Sequence, residues 1–190
     1  MVCQFNPSVE KLIPAVVQEL KHFEKLHSKK IPVIAAGGIY TGADMYNIME
    51  LGAAGVQMAT IFVTTDECDA SDDFKQVYIK ARKEDIEIIK SPVGMPGRAI
   101  SSHFLDEVDA GNKQPKNCPV NCIKTCDINT APYCIIASLT SALKGNFKHG
   151  YAFAGSNVWR NDKIVTVKEL VSTLIQEFNE YRSKIKLSLT

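Results

Sequence analysis

Two short apolar runs separated by a segment of helical character restrict the fold of this chain more than any other feature. The run PVIAA at 32–36 ends in Gly37 and Gly38, and the run VQMATIFV follows at 56–63. Each run has the length and composition of a strand buried on both faces. Between them, apolar residues recur at helical spacing behind Thr41 and Asp44, which predict a capped helix start. A strand, a helix and a second strand predict a βαβ unit with parallel strands and a right-handed crossover.

Helices are predicted on both sides of this unit. Residues 6–26 carry an apolar stripe, with Pro14 predicted in the first turn of the main helix. Beyond residue 70, short helices, an extended run at 84–90, a proline-containing loop at 91–100 and a last capped helix from Thr166 are predicted. The fold class predicted from these patterns is α/β, with a mostly helical C-terminal region.

The glycine pair predicts a site for an anion. It lies at the carboxyl end of the first strand, where bare N–H groups and the positive end of the next helix favour negative charge. Thr60, after the second strand, would offer a hydroxyl and an N–H to the same phosphate. In (β/α)₈ barrels, the common phosphate site is built from the loops after the last two strands. The alternative is a simple turn with unusual backbone angles, and the residues alone leave both interpretations open.

Composition excludes several classes of partner. The chain has 22 basic and 21 acidic residues, which gives a net charge of +1 without long charged blocks. This balance indicates neither a nucleic acid nor an anionic membrane as partner. No apolar run has the length of a membrane span, and the first residues lack a signal pattern, so a cytoplasmic location is predicted.

Four of the six cysteines are clustered, at positions 118, 122, 126 and 134. Their spacing is wider than the tight pairs of common metal sites, and no histidine lies within the stretch. A helix over 118–126 would place three thiols on one face, where they would bind a soft metal or cluster. The alternative is small, reduced side chains that pack in a helical cap. We assign no metal ligand and, in the absence of a nucleophile motif, no catalytic residue.

Three segments carry a resemblance to a known family: PVIAAGGIYTGADMYNIMELGAAGVQMAT, SPVGMPGRAI and FAGSN. They resemble the nitronate monooxygenases, once called 2-nitropropane dioxygenases, which are close to the flavin-dependent enoyl-acyl-carrier-protein reductases. The family consists of FMN-binding TIM barrels. The resemblance implies FMN as cofactor, a small-molecule substrate, and FMN-phosphate contacts from these residues: Gly37, Gly38, Gln57, Met58, Ala59 and Thr60. The chain departs from the family at Ala59, often glycine there, and at Ile61, where a basic residue is usual.

A full TIM barrel has about 250 residues and eight strands, whereas this chain shows two barrel-type strands. The resemblance therefore implies the C-terminal portion of such an enzyme, a βαβ part of the barrel followed by a helical region. Residues 1–70 would be the last strands and helices of the barrel, and 71–190 a helical cap with loops. The flavin-ring contacts and the histidine base of the family would lie upstream.

The predicted function is the FMN-phosphate-binding, C-terminal portion of an FMN-dependent oxidoreductase of the nitronate monooxygenase type. Two alternatives stay open: a catalytically silent flavin-binding or interaction module, and a fragment of a flavin-type enoyl reductase. Whether the isolated chain is an enzyme is not decided by its sequence. Because two strands leave exposed edges, we expect association with copies of the chain or with a complementary N-terminal half, or else exposed apolar surface.

Overall fold

The computed structural model describes residues 8–118, 120–124 and 126–188. Its helices are α1 (Val9–His27), α2 (Gly42–Glu50), α3 (Thr60–Val63), α4 (Asp72–Lys80), α5 (His103–Asp109), α6 (Ile135–Leu143) and α7 (Val167–Ser188). Its strands are β1 (Ile34–Ala36), β2 (Gly55–Gln57), β3 (Ile86–Lys90) and β4 (Pro96–Ile100). The fold is α/β, as the sequence predicted. None of the described helices is both long enough and apolar enough to cross a bilayer.

Contacts between residues divide the chain into two compact units. The first contains the residues up to Ala59 together with those from Val165, and the second contains 60–164. The predicted domains, 1–70 and 71–190, stay a prediction about the assembled enzyme.

The first unit contains the predicted βαβ element. Strand β1 pairs with β2 in parallel, with Ile34 opposite Gly55 and Ala36 opposite Gln57. Helix α2 connects the strands and begins with the predicted capping box, because Thr41 and Asp44 exchange side-chain-to-backbone hydrogen bonds. The prediction of two parallel strands joined by a helix is confirmed.

The expected burial of β1 on both faces is wrong. Ala35 is 2% exposed and packs with Ile13, Ile48 and Ala53, whereas Ile34 is 56% exposed. Only one face of the two-stranded sheet is covered by helices of this unit, because α1 and α2 meet the same cluster of side chains. The described residues of the first unit place no covering layer on the other face.

The second strand is shorter than predicted. It ends at Gln57, and Thr60–Val63 forms the short helix α3. A short apolar run cannot be assigned to a strand or to a buried helix from periodicity alone. Thr64 and Thr65 stabilise the helical turn, since their hydroxyls donate to the carbonyl oxygens of Ile61 and Phe62.

Helix α1 confirms the first predicted helix but corrects the position of one residue. Pro14 lies inside α1, beyond its first turn, where its ring removes one intrahelical hydrogen bond. Only Ile13 of this helix is buried.

Helix α7 packs on α2 in the first unit. Leu170 and Leu174 are buried, and the Tyr46 ring lies edge-on against Phe178 and Tyr181. The hydroxyl of Thr166 accepts the Glu169 N–H, as the predicted helix start requires.

The second unit is built around a β-hairpin. Strands β3 and β4 are antiparallel, and Ala99 also bridges to Phe153. The sequence predicted a loop over 91–100, but 96–100 is a strand. Pro96 is tolerated because it opens the strand, where its missing N–H disturbs the pairing least. The Tyr78 hydroxyl donates to the Phe153 carbonyl oxygen at 2.5 Å, and burial raises the pKa of Tyr78.

Candidate functional site

The parallel register brings the two predicted phosphate-binding segments to one edge of the sheet. Gly37 directly follows Ala36, and Met58 directly follows Gln57, the partner of Ala36 in the ladder. Neighbouring strands lie about 4.8 Å apart, so the chain leaves both strands side by side. The Gln57 and Ala59 side chains are exposed, and Met58 is half-buried. The structure therefore places five of the six predicted residues at the carboxyl edge of the first unit.

The glycine pair adopts a backbone conformation that favours glycine. Gly37 has φ of +94° and Gly38 has φ of +76°. A Cβ atom built at either position would have no other atom within 4 Å. The positive φ values support the turn interpretation, and the open space leaves room for a phosphate next to the backbone. The two interpretations are compatible with each other.

The N-terminus of α2 is not available to an anion in the way the sequence suggested. The Asp44 carboxylate accepts the N–H groups of Tyr40 and Thr41 at 3.0 and 2.9 Å. The Gly42 N–H donates to Glu177 Oε2 at 2.7 Å. Two carboxylates of the protein therefore occupy the positive end of this helix. In the first unit, the phosphate interpretation is left with the glycine turn and with residues 57–59.

Sequence reasoning missed both Gly42 and Glu177. A Cβ at Gly42 would overlap the backbone of Leu174 and Phe178, so only glycine allows α2 and α7 to approach this closely. Glu177 lies 135 residues from Gly42 along the chain. No local pattern signals a contact between residues that far apart.

In the second unit, Thr60 contacts the segment FAGSN, which is one of the three segments that carry the family resemblance. The Gly155 N–H donates to Thr60 Oγ1 at 2.8 Å. A Cβ at Gly155 would lie 2.8 Å from the same oxygen, so a larger residue would require the Thr60 side chain to shift and would disturb this hydrogen bond. A hydroxyl that accepts one hydrogen bond still has its own proton to donate. Thr60 therefore keeps a donor for a ligand.

The four clustered cysteines lie in the second unit. All four line one cavity of about 300 Å³. Cys122 and Cys126 are exposed, and Cys118 and Cys134 are half-buried; all four are free thiols. Desolvation, followed by the neighbouring thiols of the cluster, raises the pKa of Cys126. The described residues of 118–126 form no helix, so the case in which three of the thiols would share one helix face does not apply.

A family model described as nitronate monooxygenase matches residues 5–177 of the chain. A probable nitronate monooxygenase of Staphylococcus saprophyticus is 32% identical over 109 residues, which are 57% of this chain and 28% of that protein. The matched stretch thus covers less than a third of the length of this curated relative.

Solved structures show the same similarity over nearly the whole chain. FabK from Thermotoga maritima aligns with a TM-score of 0.72 and 26% identity, over 95% of this chain and 52% of that chain. A nitroalkane oxidase from Streptomyces ansochromogenes shares the fold, with a TM-score of 0.67 and 21% identity over 94% of this chain and 45% of that chain. With a family model that matches most of its residues, the chain belongs to the nitronate monooxygenase family.

Proposed function

We propose that this chain is the FMN-phosphate-binding portion of an FMN-dependent oxidoreductase of the nitronate monooxygenase type. The residues proposed to contact the phosphate are Gly37, Gly38 and the segment 57–60. One observation carries the proposal: the parallel register places a glycine turn with open space beside the end of the second strand. Loops after neighbouring strands are where barrel enzymes commonly bind phosphate.

Neutral donors would hold the phosphate. Neither proposed segment contains lysine or arginine, so backbone N–H groups and the Thr60 hydroxyl would supply the hydrogen bonds. The Asp44 carboxylate already bonds the N–H of Tyr40, two residues beyond Gly38. Its negative charge would oppose a phosphate dianion nearby. We therefore expect weaker FMN binding than a site with a basic residue would give.

FMN, when bound, would supply the electron transfer of the reaction. The described residues of the proposed segments carry amide, thioether and hydroxyl groups, none of which accepts a proton at neutral pH. This observation favours a second candidate for the isolated chain, a flavin-binding module without turnover. The choice between a nitronate and an enoyl thioester as substrate would depend on the part of the enzyme that carries the base.

The proposal is tested by comparing FMN with riboflavin, which lacks the phosphate. We expect FMN to bind about 10–100-fold more tightly than riboflavin. Hydrogen bonds to a charged group are worth about 1.5–3 kcal/mol each, and the cost of partly desolvating the phosphate offsets part of that gain. The measurement is a flavin fluorescence titration of the purified chain, together with the absorbance retained after desalting. Equal affinity for the two flavins would mean that these segments do not hold the phosphate.

The same sample distinguishes the two candidates for the isolated chain. Flavin-loaded protein is mixed with a nitronate, and oxygen consumption is recorded. The silent module predicts bound flavin without oxygen consumption above that of free FMN. Turnover would contradict it and would assign catalysis to this chain alone.

A further inference from the structure

We propose that Cys118, Cys122, Cys126 and Cys134 form a zinc site with four thiolate ligands in the second unit. This site is separate from the proposed FMN-phosphate residues and does not depend on them. Four cysteine ligands in a tetrahedral arrangement are a common form of structural zinc site.

The first argument is that the four thiols share one cavity wall. They line the cavity of about 300 Å³, and three of them, Cys118, Cys122 and Cys134, also line a neighbouring cavity of about 600 Å³. Cys68 lines neither of these cavities. The cluster is therefore a local feature of the segment 118–134.

The second argument is the length of irregular chain that the cysteines span. Between the end of α5 at Asp109 and the start of α6 at Ile135, the described residues form no helix or strand. Loops longer than about 12–15 residues without secondary structure are uncommon in compact domains, and are usually functional or disordered. A metal ion that links four points of such a loop would order it by closing its sub-loops.

The third argument concerns charge. A zinc ion with four thiolates carries a net charge of −2. Cys134 is the N-cap residue of α6, and its side chain makes no capping hydrogen bond. The site would therefore lie at the positive end of a nine-residue helix, where negative charge is favoured.

The ligands are near one another but not yet arranged around an ion. Among the described residues, no three or more His, Cys, Asp or Glu side chains stand in a metal-binding arrangement. Metal binding would therefore pull the segment together, so that binding and local ordering are coupled. In the reaction, four Zn–S bonds form and four S–H bonds break, and the protons pass to solvent. No oxidant is needed.

Zinc is the simpler occupant of four thiolates. It is redox-inert and binds to the cysteine ligands directly, whereas an iron–sulfur cluster also needs inorganic sulfide.

The test uses the full chain, reduced and purified without air. It is titrated with zinc chloride against a chromophoric chelator, and its metal content is measured by elemental analysis. We expect about one zinc ion per chain. Loss of a group that only hydrogen-bonds to a metal ligand weakens metal binding by about 10–100-fold. Cys122→Ser and Cys126→Ser each remove a ligand itself, so each should weaken zinc binding by more than that. Both side chains are exposed, so the fold should be retained, and circular dichroism of the variants checks this.

Cys68→Ser is the matched control, because it removes a thiol outside the cluster. It should bind zinc as the unaltered chain does. Zinc binding that is unchanged in both cluster variants would overturn the proposal, as would a reduced chain that binds none. Iron with acid-labile sulfide, lost in the cluster variants and kept in Cys68→Ser, would overturn the zinc assignment.

Discussion

Gly38 and Gly111 provide a matched pair at the level of single residues. Their φ values are +76° and +77°, and a Cβ at either position would have no atom within 4 Å. Alanine at either position would meet the same backbone strain, of about 1–2 kcal/mol. They differ in place, because Gly38 follows strand β1 whereas Gly111 follows helix α5. Any difference between the two variants in flavin binding therefore reports on the site and not on strain.

We expect Gly38→Ala to weaken FMN binding by about tenfold or more, because a shifted backbone N–H no longer meets the phosphate. Gly111→Ala should bind FMN as the unaltered chain does. The check is the FMN titration, with urea unfolding of both variants to confirm equal losses of stability. If both variants bind FMN normally, the glycine pair serves only as a turn.

Besides their packing, helices α2 and α7 share a charge-assisted hydrogen bond, from the Gly42 N–H to Glu177 Oε2. The acceptor lies at the helix N-terminus, where a negative charge is worth about 0.3–1 kcal/mol in addition to the hydrogen bond. The contact also positions the start of α2, which follows the glycine turn in the chain.

Glu177→Gln should lower the free energy of unfolding by about 1 kcal/mol, since the amide keeps the shape and loses the charge. Glu180→Gln is the control on the same helix, because the exposed Glu180 accepts a hydrogen bond from Gln176 one turn away and, among the described residues, from no other group. It should change stability by less than about 0.5 kcal/mol. Urea unfolding measures both, and equal losses would show that the contact to Gly42 contributes nothing specific.

These elements show which parts of the structure the sequence could predict. Thr41 with Asp44 and the apolar spacing fixed α2 and its cap, because both signals act over a few residues. The boundary of β2 was missed, since an apolar run of that length suits either a strand or a buried helix. Glu177 was missed because its partner is distant in sequence. The proposed phosphate-binding residues stay a prediction; of the two carboxylates at the start of α2, Asp44 was expected from the capping pattern and Glu177 was not.

The first unit exposes apolar side chains beyond what a covered sheet would show. Ile34 on β1 is 56% exposed, and on α1 the exposed fractions are 42% for Val16, 43% for Phe23 and 67% for Leu26. A sheet face with an exposed apolar side chain such as Ile34 is a candidate site for a further partner. We propose that further strands, from a second copy or from a complementary N-terminal half, cover it.

We expect the isolated chain to bind an apolar dye such as ANS, or to associate in a concentration-dependent way. Ile34→Thr should reduce the dye signal or the association, because it keeps a β-branched residue and removes apolar area. Light scattering coupled to size exclusion, with dye fluorescence, makes the measurement. A monodisperse monomer that melts cooperatively and binds no dye would contradict the expectation.

The return of α7 to the first unit has a consequence for biosynthesis. Glu177 emerges from the ribosome 135 residues after Gly42. Translation adds about 5–20 residues per second, so the start of α2 is without Glu177 for on the order of ten seconds. Throughout that interval residues 60–164 can complete their own unit, while the first unit has no α7 to cover α2. Until Glu177 and the rest of α7 have been synthesised, α2 exposes the apolar side chains that α7 later covers, and exposed apolar surface of this kind is prone to aggregate.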